Sequence, residues 1–143
     1  MKKKSKSEYS NLQKNIRQLV IKNSLKTIEN IYSDRRFTVE LTTHELTTIC
    51  PKTGLPDFAT LTIRYIPKDF LVEEKSLKLY LNSYRNLGIF QENATNKIFE
   101  DFLDTVKPIA LYIKATWNKR GGIGVSVERK FGNFLEGEKN GFN

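Results

Sequence analysis

Cysteine occurs once in this chain, and it stands in a turn: Thr48-Ile49-Cys50-Pro51-Lys52-Thr53-Gly54-Leu55-Pro56-Asp57. A single thiol cannot close an intramolecular disulfide. In a loop punctuated by proline and glycine, its remaining uses are chiefly reactive ones, above all nucleophilic catalysis. Asp57 follows seven residues later, across a tight reversal, where its carboxylate could face the sulfur. The bland alternative is a small buried hydrophobe, a common fate of free cysteine. Zinc fits poorly: a catalytic zinc needs about three protein ligands, and the chain offers one Cys and one His, His44. His44 could also activate Cys50, but at a strand end beside Glu45 it reads better as a solvated side chain.

Three other groupings could carry chemistry. Lys75 and Lys78 fall near the expected start of a helix, where two cations and free N–H groups suit a phosphate. Glu92, after Phe90-Gln91, could accept two N–H donors from a guanine-like edge, or simply be a solvated acid at a helix start. Arg120-Gly121-Gly122-Ile123-Gly124 is glycine-rich but lies between two strands, so it reads as a hairpin turn or as backbone approaching a phosphate. The chain has no G-x-G-x-x-G and no P-loop.

These residues must be positioned by a small fold. The chain has 143 residues, 38% hydrophobic and 28% charged, as expected of one soluble globular domain. That size leaves no room for separate cofactor and substrate domains, so two-substrate chemistry would need an oligomer to complete the site. No apolar run reaches membrane-spanning length, and no apolar segment follows the N-terminal lysines as in a signal peptide. One cysteine and no signal point to a reducing, cytoplasmic setting. Residues 1–30 carry eight Lys/Arg and two Asp/Glu; residues 31–143 carry sixteen and fourteen. The basic character is thus mainly N-terminal, in a solvated tail that could touch a polyanion. The body is not that of a dedicated nucleic-acid binder.

Leu12, Ile16, Leu19 and Val20 predict an amphipathic helix over 8–22. Phe37–Thr42 and Thr60–Ile66 alternate as strands, with Leu61, Ile63 and Tyr65 on one face. Ser76 reads as an N-cap for a helix carrying Leu77, Tyr80, Leu81 and Tyr84, closed by Gly88. A second helix runs from about Asn93 to Val106, with Ile98, Phe99, Phe102, Leu103 and Val106 inward. Leu111, Ile113, Ala115 and Trp117 alternate in the next strand, and Ile123–Glu128 is the last. The order is a leading helix, then ββααββ: an α+β layer with helices on one face of an antiparallel sheet. Three segments are expected: a basic tail and helix at 1–30, a catalytic domain at 31–131 and a disordered end at 132–143.

Taken together, the motifs resemble a known family. Cys50-Pro51-Lys52-Thr53-Gly54, Pro56-Asp57-Phe58-Ala59, Glu73–Tyr80, Ser83-Tyr84-Arg85-Asn86 and Arg120–Ile123 are similar, in order, to the unimodular 7-cyano-7-deazaguanine reductases of queuosine biosynthesis. The resemblance covers about residues 35–127. It implies the tunnelling fold, in which ββααββ subunits join into barrels with active sites between subunits. It implies that Cys50 adds to a nitrile carbon to give a thioimidate and that Asp57 protonates the nitrogen. NADPH would then deliver two hydrides, yielding the primary amine. Val72, Glu73, Glu74, Gln91 and Glu92 would bind 7-cyano-7-deazaguanine. Glu74, Lys75, Ser76, Lys78, Arg120 and Gly121 would bind NADPH. No metal, membrane or nucleic acid is required. Where the family pattern has His-Glu, this chain has Gln91-Glu92; glutamine can hydrogen-bond substrate but cannot relay a proton.

Two other readings stand beside this one. A related archaeal family adds ammonia instead of hydride and forms an amidine on tRNA, which the basic N-terminus would suit. A non-enzymatic basic RNA-binding module rests on the N-terminal lysines alone.

Overall fold

The computed structural model describes residues 25–134. The predicted helix over 8–22 and the basic tail before it lie outside the described residues. Within them the order is β1 (Thr27–Glu29), β2 (Val39–Ile49), β3 (Pro56–Ile66), β4 (Phe70–Val72), α1 (Glu74–Asn82), α2 (Gln91–Val106), β5 (Ala110–Arg120) and β6 (Ile123–Phe131). The main sheet is antiparallel, in the order β2-β3-β5-β6, and β1 pairs with β4 in a separate two-stranded ladder. The ββααββ order expected from the sequence is therefore the order of the main sheet and its two helices.

Period-two alternation decides which face of the sheet is covered. Leu61, Ile63 and Tyr65 of β3 and Leu111, Ile113, Ala115 and Trp117 of β5 are all buried. They pack with Tyr80 of α1 and with Ile98, Phe99, Phe102 and Val106 of α2 in one core. Sealing a large apolar side chain in this way contributes about 1.5–3 kcal/mol. Polar residues between them, such as Thr62 and Lys114, form the opposite face.

Several boundaries differ from the sequence reading. β2 extends to Ile49, well past Thr42, because a register shift between Thr43 and Leu46 interrupts the alternation that marks a strand. His44 thus lies inside β2, exposed, its Nδ1 3.1 Å from the Thr60 hydroxyl, and not at a strand end. α1 is capped by Glu73 and not by Ser76: the Glu73 carboxylate accepts from the N–H groups of Lys75 and Ser76. A carboxylate there also faces the positive end of the helix dipole. Gly88 does not close α1, which ends at Asn82; it forms a parallel bridge to Ile49 instead. Leu25 and Ile28 belong to the body and not to a helix: Leu25 is buried, and Thr27–Glu29 pairs with Phe70–Val72. At the other end, Asn133 accepts from Arg36 Nη2 at 2.7 Å, and Arg64 sits over the Phe134 ring.

Candidate functional site

Cys50 is the first residue past β2. Its N–H donates to Leu55 O and its carbonyl accepts from Gly54 N–H, both at 2.9 Å, so the loop closes tightly on itself. Gly54 takes φ +69, a left-handed conformation that costs a residue without a Cβ nothing. The closure turns Thr53 and Lys52 back toward the sulfur. The Thr53 hydroxyl foremost, then the Thr53 and Lys52 N–H groups, hold the Cys50 thiol below the ordinary thiol range. Burial and the negative charge of Asp57 oppose this and do not overcome it. The thiolate is the nucleophile, so the turn is an activating device as well as a reversal.

A lowered folded-state pKa makes the thiolate available at lower pH. Alkylation of Cys50 by iodoacetamide should therefore rise with pH through an inflection below that of the same thiol in the unfolded chain. Thr53→Val should move that inflection upward. An unchanged profile in Thr53→Val would show that the hydroxyl does not stabilise the thiolate. Rate against pH, read by intact mass, checks both.

Asp57 lies in β3, paired across the ladder with Thr48, and is 5% exposed. The pairing puts the Thr48 and Asp57 side chains on one face, and Asp57 is near enough for its charge to act on the Cys50 thiol. A buried carboxylate needs compensation. Arg120 supplies it: Nε lies 3.0 Å from Oδ1, and Nη2 donates to Pro56 O at 2.6 Å. Arg120 reaches there because β5 and β6 join through Gly121-Gly122, both at positive φ, after a register irregularity that follows Trp117. Such a two-residue turn matches the strand twist and suits glycine. The resemblance assigns Arg120 to NADPH; in this structure its guanidinium is engaged by Asp57, and Gly121 lies in the adjoining turn.

Gln91 and Glu92 open α2 close to the same end of the sheet. Ile49 N–H donates to Leu87 O and Ile89 N–H to Ile49 O, so the segment entering α2 runs beside the residue preceding Cys50. Gln91 is half-buried and Glu92 exposed.

The remaining predicted site residues lie elsewhere. Val72 N–H donates to the hydroxyl of Tyr65, which stands eight residues beyond Asp57 on β3. At about 3.3 Å per residue, Tyr65 is some 26 Å along β3 from Asp57, so its contact with Val72 lies at the opposite end of the strand. There Val72, Glu73 and Glu74 border a cavity of about 350 Å³, with Ile28, Phe37 and Tyr65 among its other walls. Lys75 and Lys78 are exposed on α1, where their charge suits a phosphate. The helix N–H groups of Lys75 and Ser76 do not share that role, being taken by Glu73. Ser76 is buried, its hydroxyl donating to Glu73 O and accepting from Lys26 N–H, so it ties α1 to the segment before β1.

The sequence reading missed Thr53 as the thiol's partner and Arg120 as the acid's. Only the turn closure and the β5–β6 hairpin bring them into contact. Among the described residues there is no group of three or more His, Cys, Asp or Glu side chains that could hold a metal. No helix among them is long and apolar enough to cross a membrane.

Comparison with known proteins decides the family. The family model for QueF-like proteins matches residues 56–134. The NADPH-dependent 7-cyano-7-deazaguanine reductase of Chloroherpeton thalassium is 50% identical over 107 residues, covering 75% of this chain and 92% of that protein. The chain belongs to this reductase family. The reductase of the same name from Thermomicrobium roseum is 46% identical over 113 residues, covering 79% of this chain and 88% of its own. Among solved structures, the archaeosine synthase QueF-Like in its apo form superposes with a TM-score of 0.62 at 22% identity, covering 68% of this chain and 96% of its own. At that identity the likeness shows the fold alone, which is the tunnelling fold expected for the family.

Proposed function

We propose that this protein is an NADPH-dependent reductase that converts the nitrile of 7-cyano-7-deazaguanine to the primary amine, in queuosine biosynthesis in the cytoplasm. The observation that carries the reading is a thiol activated by its own turn beside a buried, ion-paired carboxylate, in a chain of the reductase family. A nitrile is a weak hydride acceptor. Addition of the Cys50 sulfur forms an S–C bond, one C–N π bond breaks, and the proton leaving the thiol passes by way of the Asp57 carboxylate to nitrogen. The carbon of the resulting thioimidate is more electrophilic, and a thiolate can leave it again. NADPH supplies hydride when bound, once to the thioimidate and once to the imine that follows loss of sulfur. Lys75 and Lys78 hold its phosphates, and Gln91 and Glu92 hold the base edge of the substrate.

The separation of the two residue groups bears on assembly. Cys50 and Asp57 cannot share one small substrate with Val72–Glu74 across about 26 Å of their own sheet. A neighbouring subunit that places its Val72–Lys78 segment against Cys50 completes the site, which makes the working enzyme a homo-oligomer. Nicotinamide absorbance, followed with 7-cyano-7-deazaguanine and NADPH at several pH values, tests the activity; folded protein that consumes no NADPH sinks it. The shared site has its own test. Cys50→Ala and the double variant Lys75→Ala/Lys78→Ala should each be inactive alone. Mixed under conditions of subunit exchange, they should regain activity at roughly a quarter of the sites. Mixed oligomers without activity would mean each site is built by one chain.

A further inference from the structure

Arg120 joins the first two residues of β3. Its Nε lies 3.0 Å from Asp57 Oδ1, and its Nη2 donates to Pro56 O at 2.6 Å. The backbone ladder between β3 and β5 runs from Ile66 and Ala110 to Ala59 and Trp117, and stops there. Past that pair, the Arg120 side chain carries the link from β5 to the start of β3, directly after the Cys50 turn. A guanidinium is a planar fork with donors in fixed geometry, so two contacts on neighbouring residues set its plane. A free carboxyl turns easily about its last torsion; the Asp57 carboxyl has one oxygen anchored. Both of these nitrogens are spent on β3, which suits Arg120 poorly to the cofactor role that the family resemblance gives it.

We propose that Arg120 is a positioning residue for Asp57: it anchors Oδ1 and so leaves Oδ2 as the oxygen that carries the proton from the Cys50 thiol to the nitrile nitrogen. This rests on the nitrile-reductase reading above. In the step, the S–H bond breaks, the S–C bond forms, and one π pair of the nitrile moves to nitrogen. The proton goes from sulfur to Oδ2 and on to nitrogen. No oxidant or reductant takes part, and Asp57 ends as it began, a carboxylate paired with Arg120. While Oδ2 holds the proton, Oδ1 still accepts from Nε–H, because a protonated carboxyl keeps acceptor capacity. The carboxyl therefore stays aimed throughout the transfer. Proton transfer needs hydrogen-bond reach to both partners, and a misplacement of about 1 Å can slow such a step about 100-fold.

The test is adduct formation with 7-cyano-7-deazaguanine and no NADPH, followed by intact mass, so that no contact with the cofactor contributes. Arg120→Lys keeps the charge opposite Asp57 but loses the fork; its unfolding midpoint should stay near that of the unaltered protein. It should nevertheless form the adduct about 10- to 100-fold more slowly. Arg120→Gln, which also loses the charge, should be at least as slow. The double variant Arg120→Lys/Asp57→Asn should be no slower than Asp57→Asn alone, since Arg120 acts only through that carboxyl. A merely structural role would instead slow the double variant by the full Arg120→Lys factor, and that result overturns the proposal. So does adduct formation at the original rate in Arg120→Lys, which would mean that charge alone suffices. If that rate is kept while Arg120→Gln binds NADP+ more weakly by calorimetry, Arg120 is a cofactor ligand instead. If the unaltered protein forms no adduct, the nitrile reading itself fails, and the proposal with it.

Discussion

Cys50→Ala is expected to abolish both the covalent adduct and turnover, lowering NADPH consumption by at least about 1000-fold. No other residue can take over, because the chain contains no second cysteine. Its nearest hydroxyl, on Thr53, is already committed to the sulfur and to the N–H of Leu55. Cys50→Ser should fare little better: the Thr53 and Lys52 donors favour the thiolate, but a serine hydroxyl starts too far from an alkoxide for them to do the same. The fold should survive either change, since the thiol is only half-buried and fills no part of the core. Intact mass after incubation with substrate, together with an unfolding midpoint, checks the prediction. An adduct of equal yield in Cys50→Ala would remove Cys50 from the mechanism.

Asp57→Asn should reduce turnover by about 100- to 10,000-fold, the usual span for a positioned general acid or base. Asparagine keeps the shape and can still accept from Arg120, but it cannot carry a proton from the thiol to the nitrile nitrogen. Arg120 is 39% exposed, so water can solvate its charge once the partner is gone, and the fold should persist. The thiol should respond in the opposite direction. The charge of Asp57 raises the Cys50 pKa, so Asp57→Asn should alkylate faster than the unaltered protein at neutral pH while failing to turn over. Measured together, nicotinamide consumption and alkylation rate separate loss of the acid from loss of the nucleophile. Parallel losses in both would indicate a damaged site instead.

Much of this was legible in the chain. Alternation over Thr60–Ile66 and Leu111–Trp117 identifies the two central strands, and the spacing of Ile98, Phe99, Phe102 and Val106 identifies the long helix. Both follow from period and burial alone, because a side chain's face is set by local backbone geometry. Cys50 and Asp57 could be paired for the same reason, being separated by one reversal. Local rules failed where a contact crossed the chain. The bulge in β2 breaks the alternation that would have extended it to Ile49. β1 and β4 are too short to show a period, and exist because each satisfies the other's backbone. Glu73 takes the cap that Ser76 seemed suited to, since Ser76 is drawn inward to Lys26.

By itself, then, the sequence determined the class of fold and the family, and singled out Cys50 and Asp57 as the candidate nucleophile and acid. Only the tertiary structure decided what surrounds them: Thr53 on the thiol, Arg120 on the carboxylate, and Thr48 buried opposite Asp57 without a partner. It alone put Val72 beside Tyr65, at the far end of β3 from Asp57. Residue type states what chemistry a side chain can do. Electrostatic environment and distance act through space, between residues up to 63 positions apart in the case of Asp57 and Arg120, and are created only when the chain closes on itself.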